Sequence, residues 1–278
     1  MIAFTAHHVS HDNLRFPVIE AGSGDPLVLL HGGGSRAAHF MPLMRELAPH
    51  LRVIAYDQRG FAANLVPTGG AIDHPHWATD LIGVLDALGI DRAPVLGWSL
   101  GCSVAINAAA AFPERIAALV LVGAPDPARP VAVEALRRRQ AEYAALDEDE
   151  LARRARADLA AQLAPDFADD AAILDALVAD RMASSLRAQV AVIDAYATRP
   201  DLLAAARRVR APAALVTGAH DRISPPEAGA AMAAALGTGP LRIVPDAGHY
   251  IAAERPAALA QAVLQGLAAL KPAMEQSA

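Results

Sequence analysis

Ala93-Pro94-Val95-Leu96-Gly97-Trp98-Ser99-Leu100-Gly101-Cys102-Ser103-Val104 is the stretch that decides the fold. Its first half is a short apolar run that reads as a strand buried on both faces. Its second half opens a segment, Leu100 to Phe112, with apolar residues at helical spacing. Between them Gly97-Trp98-Ser99-Leu100-Gly101 matches G-x-S-x-G, the pattern of a serine nucleophile on a sharp strand-to-helix turn. Such a turn strains the serine backbone by about 1–3 kcal/mol. Side chains at 97 and 101 would collide with neighbouring backbone there. Composition alone predicts about 0.04 such matches in a chain of this make-up, so the match between a strand and a helix is informative. Cys102 is a rival nucleophile only in name. It falls inside the helix start with no base beside it, where a free cysteine acts as a small apolar side chain.

The alternation extends in both directions. Upstream, Ile2–Val9 and Leu14–Ala21 read as strands joined by a turn at Asp12-Asn13. Pro26–Leu30 is a buried strand, Ala38–Ala48 is helical, Leu51–Tyr56 is a strand and His76–Leu88 a helix. Downstream, Ala117–Val122 is a strand. After an interval come a strand at Ala213–Thr217, a helix at Pro226–Leu236, a strand at Leu241–Val244 and a helix at Pro256–Leu270. Strands alternating with long helices imply βαβ units and a mostly parallel sheet, hence an α/β fold. Residues 125–200 break the rhythm. They carry no strand signal and are rich in Ala, Arg, Asp and Glu at helical spacing, as in Val133–Ala145 and Asp149–Leu163. The expected organisation is a core of residues 1–124 and 201–278 with a helical insertion at 125–200.

Bulk properties exclude several classes. The 278 residues are 54% hydrophobic and 19% charged, which excludes disorder and permits one large domain. The net charge is −6 with no basic block, so nucleic acid is not an expected partner. No apolar run has the roughly 20 residues that span a bilayer, and no membrane partner is expected. The first ten residues lack a signal-peptide pattern, and one cysteine allows no internal disulfide. A cytoplasmic protein, monomer or homodimer, is the expectation. Lys271 is the only lysine among 24 basic residues, a coding bias and not a functional trait. No C-x-x-C occurs and no metal-ligand cluster is read, so no metal and no cofactor is expected.

Acyl chemistry at Ser99 needs a base, an acid and donors for the oxyanion. His249, in Pro245-Asp246-Ala247-Gly248-His249 between the last strand and the last helix, is the best-placed base of ten histidines. Asp221, after the Ala213–Thr217 strand, is the preferred acid to orient the imidazole, with Asp126 the competing position. Asp246 is too near His249 in sequence. His31-Gly32-Gly33-Gly34 ends the Pro26–Leu30 strand. Glycines allow close backbone approach, so the N–H groups of Gly33 or Gly34, together with that of Leu100, are the expected oxyanion donors. The helix start at Leu100 adds a partial positive charge. His31 reads as a structural loop residue, and neither phosphate-loop glycine pattern is present.

His31-Gly32, Asp57-Gln58-Arg59-Gly60-Phe61, Gly97–Gly101, Gly218–Asp221 and Gly248-His249 together resemble the α/β-hydrolase superfamily, over most of the chain. The Asp57–Gly60 segment is similar to the D-x-R-G-x-G-x-S stretch of many members and departs from it at Phe61-Ala62-Ala63-Asn64; in the family it is mostly structural. The resemblance implies that 125–200 is a helical cap that decides the substrate. It also implies that Trp98, His39, Phe40 and Met41 are pocket walls. The serine excludes the aspartate-nucleophile branches. Three functions follow as expectations. The first is a cofactor-free hydrolase of a carboxylic ester or lactone through an acyl-enzyme on Ser99. The second is a carbon–carbon bond hydrolase or perhydrolase using the same residues. The third is a ligand-sensing protein on the same fold.

Overall fold

The computed structural model describes residues 2–62, 72–129, 132–184, 186–197 and 200–276. Ala63 and Asn64, in the departing half of the Asp57 motif, lie outside them. The strands are β1 (Phe4–His11), β2 (Leu14–Ala21), β3 (Pro26–Leu30), β4 (Arg52–Tyr56), β5 (Ala93–Trp98), β6 (Ile116–Val122), β7 (Ala213–Gly218) and β8 (Arg242–Val244). The helices are α1 (Met41–Leu47), α2 (His74–Ala87), α3 (Leu100–Ala111), α4 (Val133–Ala144), α5 (Glu148–Ala160), α6 (Ala171–Met182), α7 (Leu186–Ala197), α8 (Leu202–Ala206), α9 (Pro226–Leu236), α10 (Ile251–Glu254) and α11 (Pro256–Gln276). Short 3-10 turns cover Ala37–Phe40 and Pro165–Phe167.

The strands form one sheet in the order β1-β2-β4-β3-β5-β6-β7-β8. β1 pairs antiparallel with β2, and β2 with β4; every other pairing is parallel. The β1–β2 turn uses Asp12 and Asn13, both at left-handed φ of 50° and 59°. That conformation matches the twist of a tight hairpin, and Asp and Asn tolerate it. β3, β5 and β6 are buried on both faces, which is why they read as unbroken apolar runs. On one side Trp77 and Leu81 of α2, Val104 and Ile106 of α3 and Leu202 of α8 form a core. On the other side Leu43 and Leu47 of α1 and Leu259 and Val263 of α11 form a second.

Several helix ends differ from the sequence reading, those of α2 and α11 among them. α2 begins at His74, two residues early, because Asp73 caps it by accepting the His76 N–H at 2.9 Å and Pro75 suits the first turn. α11 continues past Leu270 to Gln276 with Pro272 inside. The proline withholds one N–H, but these last turns are largely exposed and water can serve the freed carbonyl.

The Asp57-Gln58-Arg59-Gly60 segment ties the fold together beneath the site. Buried Arg59 binds Asp80 of α2 with two bonds, Nε to Oδ2 at 2.8 Å and Nη2 to Oδ1 at 2.6 Å, and also reaches Asp12 at 2.8 Å. The Arg59 carbonyl accepts the Trp77 indole N–H at 2.8 Å. Asp57 accepts the Ala37 N–H at 2.7 Å and so fixes the chain just after the glycine loop.

Candidate active site

Ser99 joins β5 to α3 with φ 54° and ψ −114°, a left-handed conformation that only a tightly held turn imposes on serine. Its N–H donates to the Val122 carbonyl of β6 at 3.0 Å. The flanking glycines are sterically required. A Cβ on Gly97 would lie 2.4 Å from the Gly101 carbonyl oxygen, and one on Gly101 would lie 2.1 Å from the Leu30 carbonyl oxygen.

Ser99, His249 and Asp221 come together from three strand ends. The Ser99 hydroxyl lies 3.1 Å from His249 Nε2, and His249 Nδ1 lies 2.8 Å from Asp221 Oδ2. Asp221 is 3% exposed, and its other oxygen accepts the N–H groups of Ile223 at 2.9 Å and Ser224 at 2.7 Å. One carboxylate oxygen is thus saturated by backbone, which leaves the other to accept Nδ1–H and to set the tautomer with Nε2 facing the serine. Asp126 is not in this row; its carboxylate closes a local turn by accepting the Ala128 N–H at 2.9 Å. His220 is exposed beside Asp221. Cys102 is buried, its Sγ–H donates to the Gly97 and Val122 carbonyls, and burial pushes its thiol well up, away from the thiolate.

The glycine loop faces the same point. A Cβ on Gly32 would lie 3.2 Å from the Ser99 Cβ and 2.9 Å from the Trp98 ring. His31 is buried and pushed down to about 4 by burial, so it is neutral. Its Nε2 accepts the Gln58 N–H at 3.1 Å, and its Nδ1–H donates to the Gly32 carbonyl at 2.9 Å. The Gln58 amide in turn donates to the His31 carbonyl at 2.8 Å. His31 therefore holds the loop and takes no part in proton transfer to Ser99. Leu100 opens α3, and the first N–H groups of a helix have no partner within it.

Trp98 and His39 stack with ring centres 4.4 Å apart, and Tyr250 packs edgewise on His39 at 5.6 Å. The Trp98 indole donates to the His249 carbonyl at 2.9 Å, so this ring also anchors the histidine. Burial above all pushes His39 down to about 3, and His31 and His249 add to the effect. His39 is thus a neutral ring. Phe40 is 1% exposed and belongs to the α1–α11 core, against His39 and Trp98. Met41 is half-buried at the start of α1.

Two residues here, Gly123 and Arg181, carry no signal in sequence. Gly123, with φ 56° after β6, leaves no room for a side chain: its Cβ would lie 3.2 Å from Asp221 Oδ2 and 3.4 Å from the His249 ring. Arg181 of α6 lies against the glycine loop, where a Cβ on Gly34 would sit 2.8 Å from its Nε. Its Nη2 donates to the Tyr250 hydroxyl at 3.4 Å, while its Nε is buried without a partner. Among the described residues no carboxylate pairs with Arg181. Gly248 touches the turn after α5, since its Cβ would meet the Gln162 carbonyl oxygen at 2.5 Å. Among the described residues no group of three or more His, Cys, Asp or Glu is placed to hold a metal, and no helix is long and apolar enough to cross a membrane.

A strand-to-helix serine turn, a glycine loop from the neighbouring strand, and acid and histidine loops later in the chain define an α/β-hydrolase architecture. The chain belongs to that family: the alpha/beta hydrolase fold model matches residues 25–256. Among its relatives, a 2-hydroxy-6-oxo-2,4-heptadienoate hydrolase of Pseudomonas putida is 40% identical over 108 residues, covering 38% of this chain and 39% of that one. The chain spans about two fifths of the length of the first curated relatives it matches. A 2-(acetamidomethylene)succinate hydrolase of Mesorhizobium japonicum is 29% identical over 89% of this chain and 90% of its own. In structure, a thermophilic esterase from Thermogutta terrifontis, solved with malate bound, superposes with a TM-score of 0.82 at 25% identity. That match covers 96% of this chain and 99% of that one.

Proposed function

We propose that this chain is a serine-dependent hydrolase of a small carbonyl compound that also carries a carboxylate. The observation that carries this reading is Arg181, a cation without a carboxylate partner among the described residues, held against Gly34 of the glycine loop and against Tyr250, the residue after His249. A guanidinium in such a site offers paired donors to a carboxylate. The relatives from P. putida and M. japonicum are both named for substrates that are carboxylic acids.

The proposed reaction assigns each residue a step. Ser99 Oγ adds to the substrate carbonyl carbon as its proton passes to His249 Nε2, and Asp221 stabilises the imidazolium. The carbonyl electron pair moves to oxygen, held by the N–H groups of Leu100 and of Gly33 or Gly34. The tetrahedral adduct then expels the leaving group, which takes the proton from His249 and leaves an acyl group on Ser99. Water, giving a proton to His249, attacks that ester; its collapse frees the acid and returns the proton to Ser99. The helices of 125–200 form the cap, Trp98, His39 and Met41 are the pocket walls, and Phe40 backs His39 and Trp98 from the core.

For the bond broken, the first reading is a carbon–carbon bond in a vinylogous keto acid. A carbon leaving group departs when its electron pair is delocalised into a conjugated keto oxygen, and in such a substrate that keto group adjoins the carboxylate that Arg181 would bind. The relatedness to the heptadienoate hydrolase favours this reading. The second reading, a carboxylic ester or lactone, is favoured by the likeness to the Thermogutta esterase. The test is labelling of Ser99 by a fluorophosphonate, with Ser99→Ala as control, followed by product analysis on a 2-hydroxy-6-oxo-dienoate and on neutral and acidic esters. Equal labelling of wild type and Ser99→Ala, or turnover confined to neutral esters, refutes the reading.

A further inference from the structure

Glu254 lies five residues after His249, at the end of α10, and is buried. Its two oxygens accept three backbone N–H bonds. Oε2 takes those of Ala164 at 2.7 Å and Gly248 at 2.8 Å, and Oε1 takes that of Tyr250 at 2.9 Å. Gly248 and Tyr250 are the neighbours of His249 on either side. The N–H of His249 itself donates to the Gln162 carbonyl at 2.9 Å, in the same turn that holds Ala164. Each peptide N–H from 248 to 250 therefore ends on Glu254 or on the segment Glu254 grips.

A carboxylate is buried at this depth only when hydrogen bonds replace its water. Burial pushes the Glu254 carboxyl up, while the three N–H groups and attraction to His249 pull it back. The other titratable groups facing His249 are Asp221 from the end of β7, the neutral His39, the Ser99 hydroxyl and the Tyr250 phenol, whose ring centre lies 5.7 Å from the imidazole and which burial pushes up, keeping it uncharged. Beside Glu254, Arg255 faces Asp166 at 3.9 Å.

We propose that Glu254 is a positioning residue for His249: it fixes the backbone on both sides of the base and sets a second negative charge near the imidazole. The proposal rests on the reading of Ser99 and His249 as nucleophile and base. In Glu254→Gln one amide oxygen can keep the Ala164 and Gly248 bonds. The amide nitrogen then faces the Tyr250 N–H, so one anchor is lost along with the charge. Glu254→Asp keeps the charge and shortens the reach.

The experiment follows fluorophosphonate labelling rates of the full chain from pH 5 to 9, with folding checked by circular dichroism. Glu254→Gln is expected to label at least about 10-fold more slowly. Its acid limb should move to lower pH by roughly half a unit, because the imidazolium loses a nearby anion. Glu254→Asp is expected to slow labelling while its acid limb stays in place. Wild-type rates in Glu254→Gln, or slowing with an unmoved limb, overturn the proposal; the latter outcome makes the glutamate merely structural. Should Glu254→Gln not fold, wild-type labelling of Glu254→Asp overturns it instead. A wild-type protein that does not label at Ser99 overturns the underlying reading, which separates the two failures.

Discussion

Replacing Arg181 by methionine removes a guanidinium while keeping much of the apolar stem, and the effect should depend on the substrate's charge. A charge-assisted hydrogen bond to a carboxylate contributes about 1.5–3 kcal/mol. At 1.36 kcal/mol per decade that is a loss of about 10- to 150-fold in kcat/KM for an acidic substrate. A neutral substrate makes no such bond, so p-nitrophenyl acetate should change by less than about 3-fold, within the usual scatter of a surface change. The Tyr250 hydroxyl and Gly34, the two groups that Arg181 approaches, are uncharged, so no buried carboxylate is orphaned by the change. The assay is steady-state kcat/KM for wild type and Arg181→Met on a 2-hydroxy-6-oxo-dienoate and on p-nitrophenyl acetate. The decisive quantity is the ratio of the two losses. Equal losses on both, or no loss on the acid, would refute the assignment of Arg181 as the carboxylate partner.

Asp221→Asn should leave the fold intact and lower kcat roughly 10³- to 10⁴-fold, read in steady-state turnover, because the amide cannot hold the imidazole with Nε2 free for Ser99. Gly101→Ala should cost about 3 kcal/mol, measured by urea unfolding, since its methyl group would meet the Leu30 carbonyl oxygen. His39→Phe keeps the ring on Trp98 and removes a titration. The folded-state value of His39, about 3, lies below the ordinary 6.5. Stability from this group is therefore fully present above pH 6.5 and is lost as pH falls towards 3. Between pH 7 and pH 5 the wild type should lose about 2 kcal/mol more than His39→Phe, read as the difference in urea midpoints; parallel pH slopes would refute it.

The parts of the site legible in sequence are those whose constraint is local. Gly97 marks Ser99 because its Cβ would strike Gly101 within the same turn, and Gly101 completes the five-residue pattern although the atom it avoids, the Leu30 carbonyl oxygen, belongs to β3. Asp221 and His249 are legible as polar residues just beyond apolar strands. Asp221 and Asp126 are told apart only in three dimensions, where Asp126 folds back on Ala128 and Asp221 faces the imidazole. Arg181 is one of 24 basic residues on a helix with no distinguishing neighbours, and only the packing of α6 over Gly34 sets it apart. Glu254 looks like an ordinary acid before a helix, because its partners are backbone groups that leave no trace in side-chain patterning. Phe40 follows the glycine loop as a pocket wall would, yet the adjoining core takes its ring.

The strand order gives the site a further property. The loops that meet at Ser99 follow β3, β5, β6, β7 and β8, and the first and last of these stand more than 200 positions apart along the chain. No single strand-and-loop unit carries more than one of Ser99, Asp221 and His249, and none of them is placed until neighbouring strands have paired. Labelling of Ser99 is therefore a report on the integrity of the entire sheet. A library of variants, or of complementing halves cut between β6 and β7, could be sorted for correct assembly by that one chemical event, without knowledge of the natural substrate.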